Sequence, residues 1–166
     1  MAVNGYLFDT NILIDFGQRL YPLDIFPTLW NDLSDLIAND MVLLTSGCIQ
    51  ELKTKISDPE ADRDNWRDWW IKHGFTYDHQ KYQQTYATLV NKIMKDDRYY
   101  GNCGGAKRRH FLSKADPWLV SIAKQENLGI VTREGNGALQ IPRICSLEGV
   151  EVLQLPEFMR MQQLSY

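Results

Sequence analysis

Apolar positions along the chain alternate between two periods. Leu29, Trp30, Leu33, Leu36 and Ile37 recur at three- and four-residue spacing, which predicts a helix over 27–38. Cys48, Ile49, Leu52 and Ile56 repeat the pattern behind Ser46, predicting a helix over 47–56 with Ser46 as its cap. Trp118, Leu119, Ile122 and Ala123 follow Asp116-Pro117, and proline at the first helical position marks a strong start. Against these helices stand short apolar runs at 3–8, 41–44, 129–132 and 150–153, which read as buried strands. Asp9-Thr10-Asn11 closes the first run with helix-start chemistry ahead of Ile12-Leu13-Ile14.

The middle of the chain is helical but less regular. Residues 59–72 carry Trp66, Trp69 and Trp70, and residues 78–95 carry Tyr82, Tyr86, Leu89, Val90 and Ile93, with an edge strand predicted at 74–77. Residues 97–105, rich in Gly, Asn and Asp, read as a loop, 133–137 as a turn-rich loop and 156–163 as a closing helix. Strands separated by helices pair in parallel through right-handed crossovers. The expectation is an α/β fold: a three-layer α/β/α sandwich with a short, mostly parallel central sheet. At 166 residues, without a repeat or a linker, it reads as one domain over 1–166 with a helical insertion near 58–97.

Charge narrows the chemistry. Lys and Arg number 18 against 21 Asp and Glu, a net charge of −3, which argues against a general nucleic-acid coat protein. A local basic run, Lys107-Arg108-Arg109-His110 with Lys114 behind it, reads either as a solvated loop or as a phosphate-contacting one. No apolar stretch reaches the ~18 residues of a membrane span, and Asp9 and Asp15 interrupt any signal-peptide core. Cys48, Cys103 and Cys145 form no CxxC pair, so the expectation is a reduced cytoplasmic protein. Trp69 and Trp118 read as core, whereas Trp70 and Tyr99-Tyr100 are left as candidate exposed surfaces for a base or a partner.

In a parallel sheet, function collects beyond the carboxyl ends of the strands. Asp9 ends the first strand, Glu51 sits on the helix after the second, and Glu134 follows the third. Asp116 opens the helix before that third strand. Singly, each has a structural explanation: Asp9 and Asp116 as caps, Glu51 as the partner of Lys55, Glu134 as a turn residue. Together, four converging carboxylates repel one another unless cations neutralise them. Hard oxygen donors of this kind suit Mg²⁺ or Mn²⁺, and no His/Cys spacing suits zinc. Neither a GxxxxGK[ST] phosphate loop nor a GxSxG elbow is present.

Phe8-Asp9-Thr10-Asn11-Ile12-Leu13-Ile14, Glu51-Leu52, Ala115-Asp116-Pro117-Trp118-Leu119-Val120 and Val131-Thr132-Arg133-Glu134 follow in that order. The series resembles the PIN-domain nucleases over residues 6–153, and more narrowly a bacterial PIN-like group related to the VapC-type toxins. The resemblance implies that Asp9, Glu51 and Asp116 bind metal, with Glu134 standing where many PIN nucleases carry Asp. It also implies that Thr10 or Asn11 holds the first carboxylate or a metal-bound water, and that Thr132 orders the loop. Lys107, Arg108, Arg109, Lys114 and Arg133 then become candidate RNA-phosphate contacts. The implied function is a Mg²⁺- or Mn²⁺-dependent endoribonuclease, the toxin half of a toxin–antitoxin pair. RNA is then its substrate and an antitoxin its cognate partner, with a homodimer left open. The alternatives are a PIN-fold nuclease for RNA processing or structured DNA, and a metal-free PIN-like binding scaffold.

Overall fold

The predicted apolar runs form four strands, trimmed to two to four residues each: β1 (Tyr6–Phe8), β2 (Val42–Leu43), β3 (Gly129–Thr132) and β4 (Val152–Gln154). The structure is a computed structural model that describes residues 2–55 and 65–164. Ile56 and the start of the helix predicted over 59–72 lie outside these residues. All strand pairs are parallel, in the order β2-β1-β3-β4. Parallel neighbours require crossovers, and helices supply them, so the fold is a three-layer α/β/α sandwich.

The first half contributes α1 (Thr10–Asp15), α2 (Pro27–Ala38), α3 (Ser46–Lys55), α4 (Trp66–His73) and α5 (Gln83–Lys95). The second half contributes α6 (Asp97–Tyr100), α7 (Gly105–Leu112), α8 (Asp116–Glu126), α9 (Ile141–Glu148) and α10 (Leu155–Met161). The first helix runs on into a π-helical turn at Phe16–Leu20, closed by the Tyr21 amide on the Phe16 carbonyl at 2.8 Å.

Aromatic side chains dominate the core beside β1. Tyr6 and Phe8 meet Phe158 of α10 edge-on, with ring centroids 5.6 and 5.1 Å apart. Phe8 also meets Trp70, which joins Phe16, Trp30 and Trp69 in one cluster. Trp66 lies against Gly17, where a Cβ would come within 2.5 Å of the indole ring. A second packed group is formed by α5, α8 and α9, with α8 against β3. Buried Glu148 ties that group together: it accepts from Tyr99 Oη at 2.6 Å and Lys92 Nζ at 2.9 Å, and pairs with Lys124.

Several expectations change. The edge strand at 74–77 reduces to one parallel bridge between Thr45 and Tyr77. The loop over 97–105 contains α6, because the Asp96 carboxylate accepts the Arg98 amide and fixes a helix start. The basic run is therefore on a helix, α7, not in a loop. Helix α9 has no counterpart in the sequence reading. Trp70 and Tyr99 are buried rather than exposed, and Trp69 and Trp118 are only half-buried. Spacing explains the exchange, since residues 66 and 70 share one face of α4 and position 69 turns off it. Among the described residues no helix is long and apolar enough to cross a membrane.

Candidate active site

The chain leaves β1 towards β2 on one side and returns to β3 on the other. Connections that diverge in this way open a crevice beyond the strands' carboxyl ends, between β1 and β3. Asp9 follows β1 directly, and Thr132 ends β3, so both stand at that crevice.

Asp9 occupies the N-cap position of α1 without a side-chain capping bond. Its Oδ2 instead accepts from Thr132 Oγ1 at 3.1 Å, and only 1% of the residue is exposed. The same Thr132 hydroxyl accepts the Glu134 amide at 3.1 Å, so one side chain fixes both Asp9 and the turn bearing Glu134. Glu51 projects from α3 and is held on both oxygens. Oε1 accepts the Ala115 amide at 2.7 Å and Oε2 accepts Thr10 Oγ1 at 2.8 Å, with Lys55 Nζ 3.2 Å from Oε2. The Thr10 hydroxyl therefore anchors Glu51, while Asp9 is held by the Thr132 hydroxyl together with the Asn11 amide. Asn11 is exposed beside the crevice. The Ala115 contact docks α3 onto the start of α8, where buried Asp116 is the first helical residue. Glu134 Oε2 accepts the Ile141 amide at 2.7 Å, at the N-terminus of α9.

Electrostatics bind the four acids into one system. Burial, then the charges of Asp116 and Glu134, push Asp9 up to about 8 against the pull of Thr132 and the Asn11 amide. Burial, Glu134 and Glu51 push Asp116 up to about 6, opposed by Lys114 and Lys55. Burial also raises Glu51, but the Ala115 amide, Thr10 and Lys55 outweigh it and hold that carboxylate below its ordinary range. The charge of Asp116 is part of what raises Asp9.

The donor set is hard oxygen throughout, which fits Mg²⁺ or Mn²⁺ in its chemistry. Among the described residues no group of three acidic, histidine or cysteine side chains forms a ready-made ion cage. Cys48, buried beside Asp9, is pushed up to about 12 by burial first and by Asp9 next, and stays a thiol. His79 accepts the Gly47 amide on Nε2 at 3.1 Å, and burial lowers it to about 4, so it stands neutral at pH 7. Its ring and that of Tyr86 both stack with Trp118, with centroids 5.3 and 3.6 Å away.

The basic candidates separate. Lys107 and Arg109 are exposed on α7, and Lys114 lies near enough to Asp116 to favour its charge. Arg108 instead lies 4.1 Å over the Tyr100 ring and donates to the Met94 carbonyl at 2.8 Å, a structural role. Arg133 donates to Asp15 Oδ2 at 2.6 Å, and Arg19 reaches Asp15 Oδ1 at 3.1 Å. Sequence reading passed over Asp15 and Arg19, although their i,i+4 spacing signals the pair. Nothing in the sequence singles out His79.

Fold and site together define a parallel α/β sandwich with an acid-lined crevice at its topological switch point. The chain belongs to the family described as Domain of unknown function (DUF4411), which matches residues 6–166. Comparison with curated proteins and with solved structures finds no match.

Proposed function

We propose that this chain is a divalent-metal-dependent phosphodiesterase that cleaves RNA. The observation that carries the reading is the position of Asp9, which is 1% exposed and faces the charges of two further acids at the switch point. Carboxylates buried together at such a place are a signature of ion-dependent chemistry. Asp9 and Asp116 would form the primary pair of ligands, and Glu51 and Glu134 would complete the set from positions fixed by backbone amides. A bound Mg²⁺ or Mn²⁺ supplies Lewis acidity to the phosphodiester and makes water a competent nucleophile near neutral pH. The protein's own part is orientation. Thr132 holds Asp9, Thr10 and the Ala115 amide hold Glu51, and Lys55 and Lys114 supply positive charge beside Asp116. Lys107 and Arg109 would contact flanking phosphates.

The choice of RNA, and the further reading as the toxin of a toxin–antitoxin pair with a protein antitoxin, rest on the resemblance to PIN nucleases and VapC-type toxins. A metal-free binding scaffold is the second reading, favoured by the backbone amides that already engage Glu51 and Glu134. Incubating the purified protein with labelled single-stranded RNA in Mn²⁺, Mg²⁺ or EDTA separates the two. Cleavage with metal that is lost in Asp116→Asn is expected. Absence of metal-dependent cleavage supports the scaffold, and undiminished metal-dependent cleavage by the variant removes Asp116 from the catalytic set. Growth arrest on expression, abolished by Asp9→Asn, tests the toxin assignment, as does a small open reading frame abutting this one.

A further inference from the structure

A cavity of about 330 Å³ is lined by Asn11, Ile14, Asp15, Arg19, Arg133 and Glu134. Glu134 is shared with the acid cluster, Asn11 follows Asp9 by two residues, and Arg133 adjoins the Thr132 that holds Asp9, so the cavity abuts the acids. Three side chains organise it. Asp15 is buried, with its side chain 11% exposed, and each carboxylate oxygen faces a different guanidinium. Arg19 and Arg133 keep 69% and 46% of their side-chain exposure. Each uses one terminal nitrogen on Asp15, and a guanidinium carries five N–H donors, so both retain donors for a further acceptor. Asp15 between the two guanidiniums makes a triad of net charge +1, and Glu134, which lines the same cavity on the side of the acids, offsets that charge unless a cation neutralises it.

The backbone fixes this arrangement. Asp15 is the last residue of α1, and Arg19 lies in the π-helical turn that follows. Such turns recur at functional sites. Gly17, between the two, is pressed against Trp66, which gives the turn a rigid backing. Two exposed guanidiniums held at fixed spacing by a buried acid form a receptor for a tetrahedral oxyanion. The volume falls in the lower part of the roughly 300–1,000 Å³ range of small-ligand pockets, the scale of one nucleotide.

We propose that Arg19 and Arg133, oriented by Asp15, form the subsite for the nucleic-acid phosphate next to the scissile one. The strand then crosses the crevice between two basic flanks, Lys55 and Lys114 on one side and this pair on the other. The inference rests on the phosphodiesterase reading and names how that site grips its substrate. A stabilising surface ion triad, with no ligand, is the competing account.

The test measures binding of a fluorescein-labelled single-stranded RNA 12-mer, and of the DNA 12-mer of the same sequence, across a salt series. The host is the Asp9→Asn variant, so cleavage does not interfere, and wild-type cleavage is measured separately. Adding Arg19→Ala keeps the Arg133–Asp15 pair and is expected to weaken binding several-fold. It should also make the log–log salt slope shallower by about 0.7. Arg19→Ala with Arg133→Lys, which keeps a cation beside Asp15, should weaken binding further, because lysine cannot reproduce the fork. Arg160→Ala, on exposed α10 surface, is the control and should change neither quantity. Parallel losses for RNA and DNA identify a backbone phosphate site, and a loss confined to RNA adds ribose recognition. An unchanged slope in both arginine variants overturns the subsite, whatever their melting temperatures. If wild type cleaves while the slope is unchanged, the subsite alone fails. If the slope falls while wild type does not cleave, Arg19 and Arg133 still bind a backbone phosphate, but the nuclease reading and the placement beside a scissile phosphate fail.

Discussion

Replacing Asp9 by asparagine removes a charge without removing its shape, and Asn Oδ1 can still accept from Thr132 Oγ1. The ordinary aspartate value of 3.8 is raised to about 8 in the folded protein. Between those values the folded state retains a proton that the unfolded chain has lost. Stability attached to this group is therefore greatest at the acid end of the window and falls as pH rises towards 8. The gradient is on the order of 1.4 kcal/mol per pH unit, a ceiling of about 6 kcal/mol over the window. Relaxation and water entry reduce this to a few kcal/mol. For a domain of this size, 2 kcal/mol moves the melting temperature by roughly 4–8 °C. Thermal melts in EDTA at pH 5, 6, 7 and 8 read the effect. Asp9→Asn should melt above wild type at pH 8, with the difference closing towards pH 5. A gap that is the same at every pH, or a variant less stable at pH 8, refutes the electrostatic account of the site.

Millimolar Mn²⁺ should raise the wild-type melting temperature, by about 2.7 kcal/mol of stabilisation at a hundredfold excess over Kd, and should do much less for Asp116→Asn. Glu148→Gln should cost about 1–2 kcal/mol at pH 7, discounted because Lys92 and Lys124 are 39% and 45% exposed. Hydrogen bonds from Lys124, Tyr99 and Lys92 outweigh burial and hold Glu148 below its ordinary range, so its contribution is present above about pH 4.5 and lost as pH falls through its folded value. Denaturation at pH 7 and pH 3.5 should therefore show the variant's deficit shrinking in acid. Replacing Lys107, Arg109 and Lys114 by Ala should make the salt slope for single-stranded RNA shallower by up to about 2 without moving the cleavage site. A slope equal to that of wild type removes α7 from the RNA path.

Much of this was legible in the residues themselves. The four strands declared themselves as apolar runs, and α2 and α8 through apolar stripes and proline at the helix start. The acids were legible because each sits at a strand end or helix start, and topology then brings those junctions together. Less legible were features decided by tertiary partners. Tyr99 carries no local sign of burial, which depends on Glu148 across the fold, whereas Trp70 shares with Trp66 the spacing that marks the inward face of α4. Helix α9 is short and sits between loop-like segments, yet Pro142 in its first turn and Gly149 at its left-handed end were readable signals. The assignment of Thr10 to Glu51 follows from where α3 docks, a distance no local pattern encodes. Arg108 looked like its neighbours until Tyr100 and the Met94 carbonyl claimed it.

The contact between Trp66 and Gly17 bears on how far this architecture can be cut down. A helical insertion is expected from the sequence near 58–97, a stretch that a protein engineer could set out to excise. Yet Trp66, Trp70, Leu89 and Ile93 come from that stretch and are all part of the buried core. Removing it would take away the wall behind the π-helical turn and leave the backbone under Arg19 facing solvent. A minimised version would thus lose one bank of its proposed strand channel before it lost any of the four acids. The added segment is a structural member, and position 17 admits no side chain while it remains.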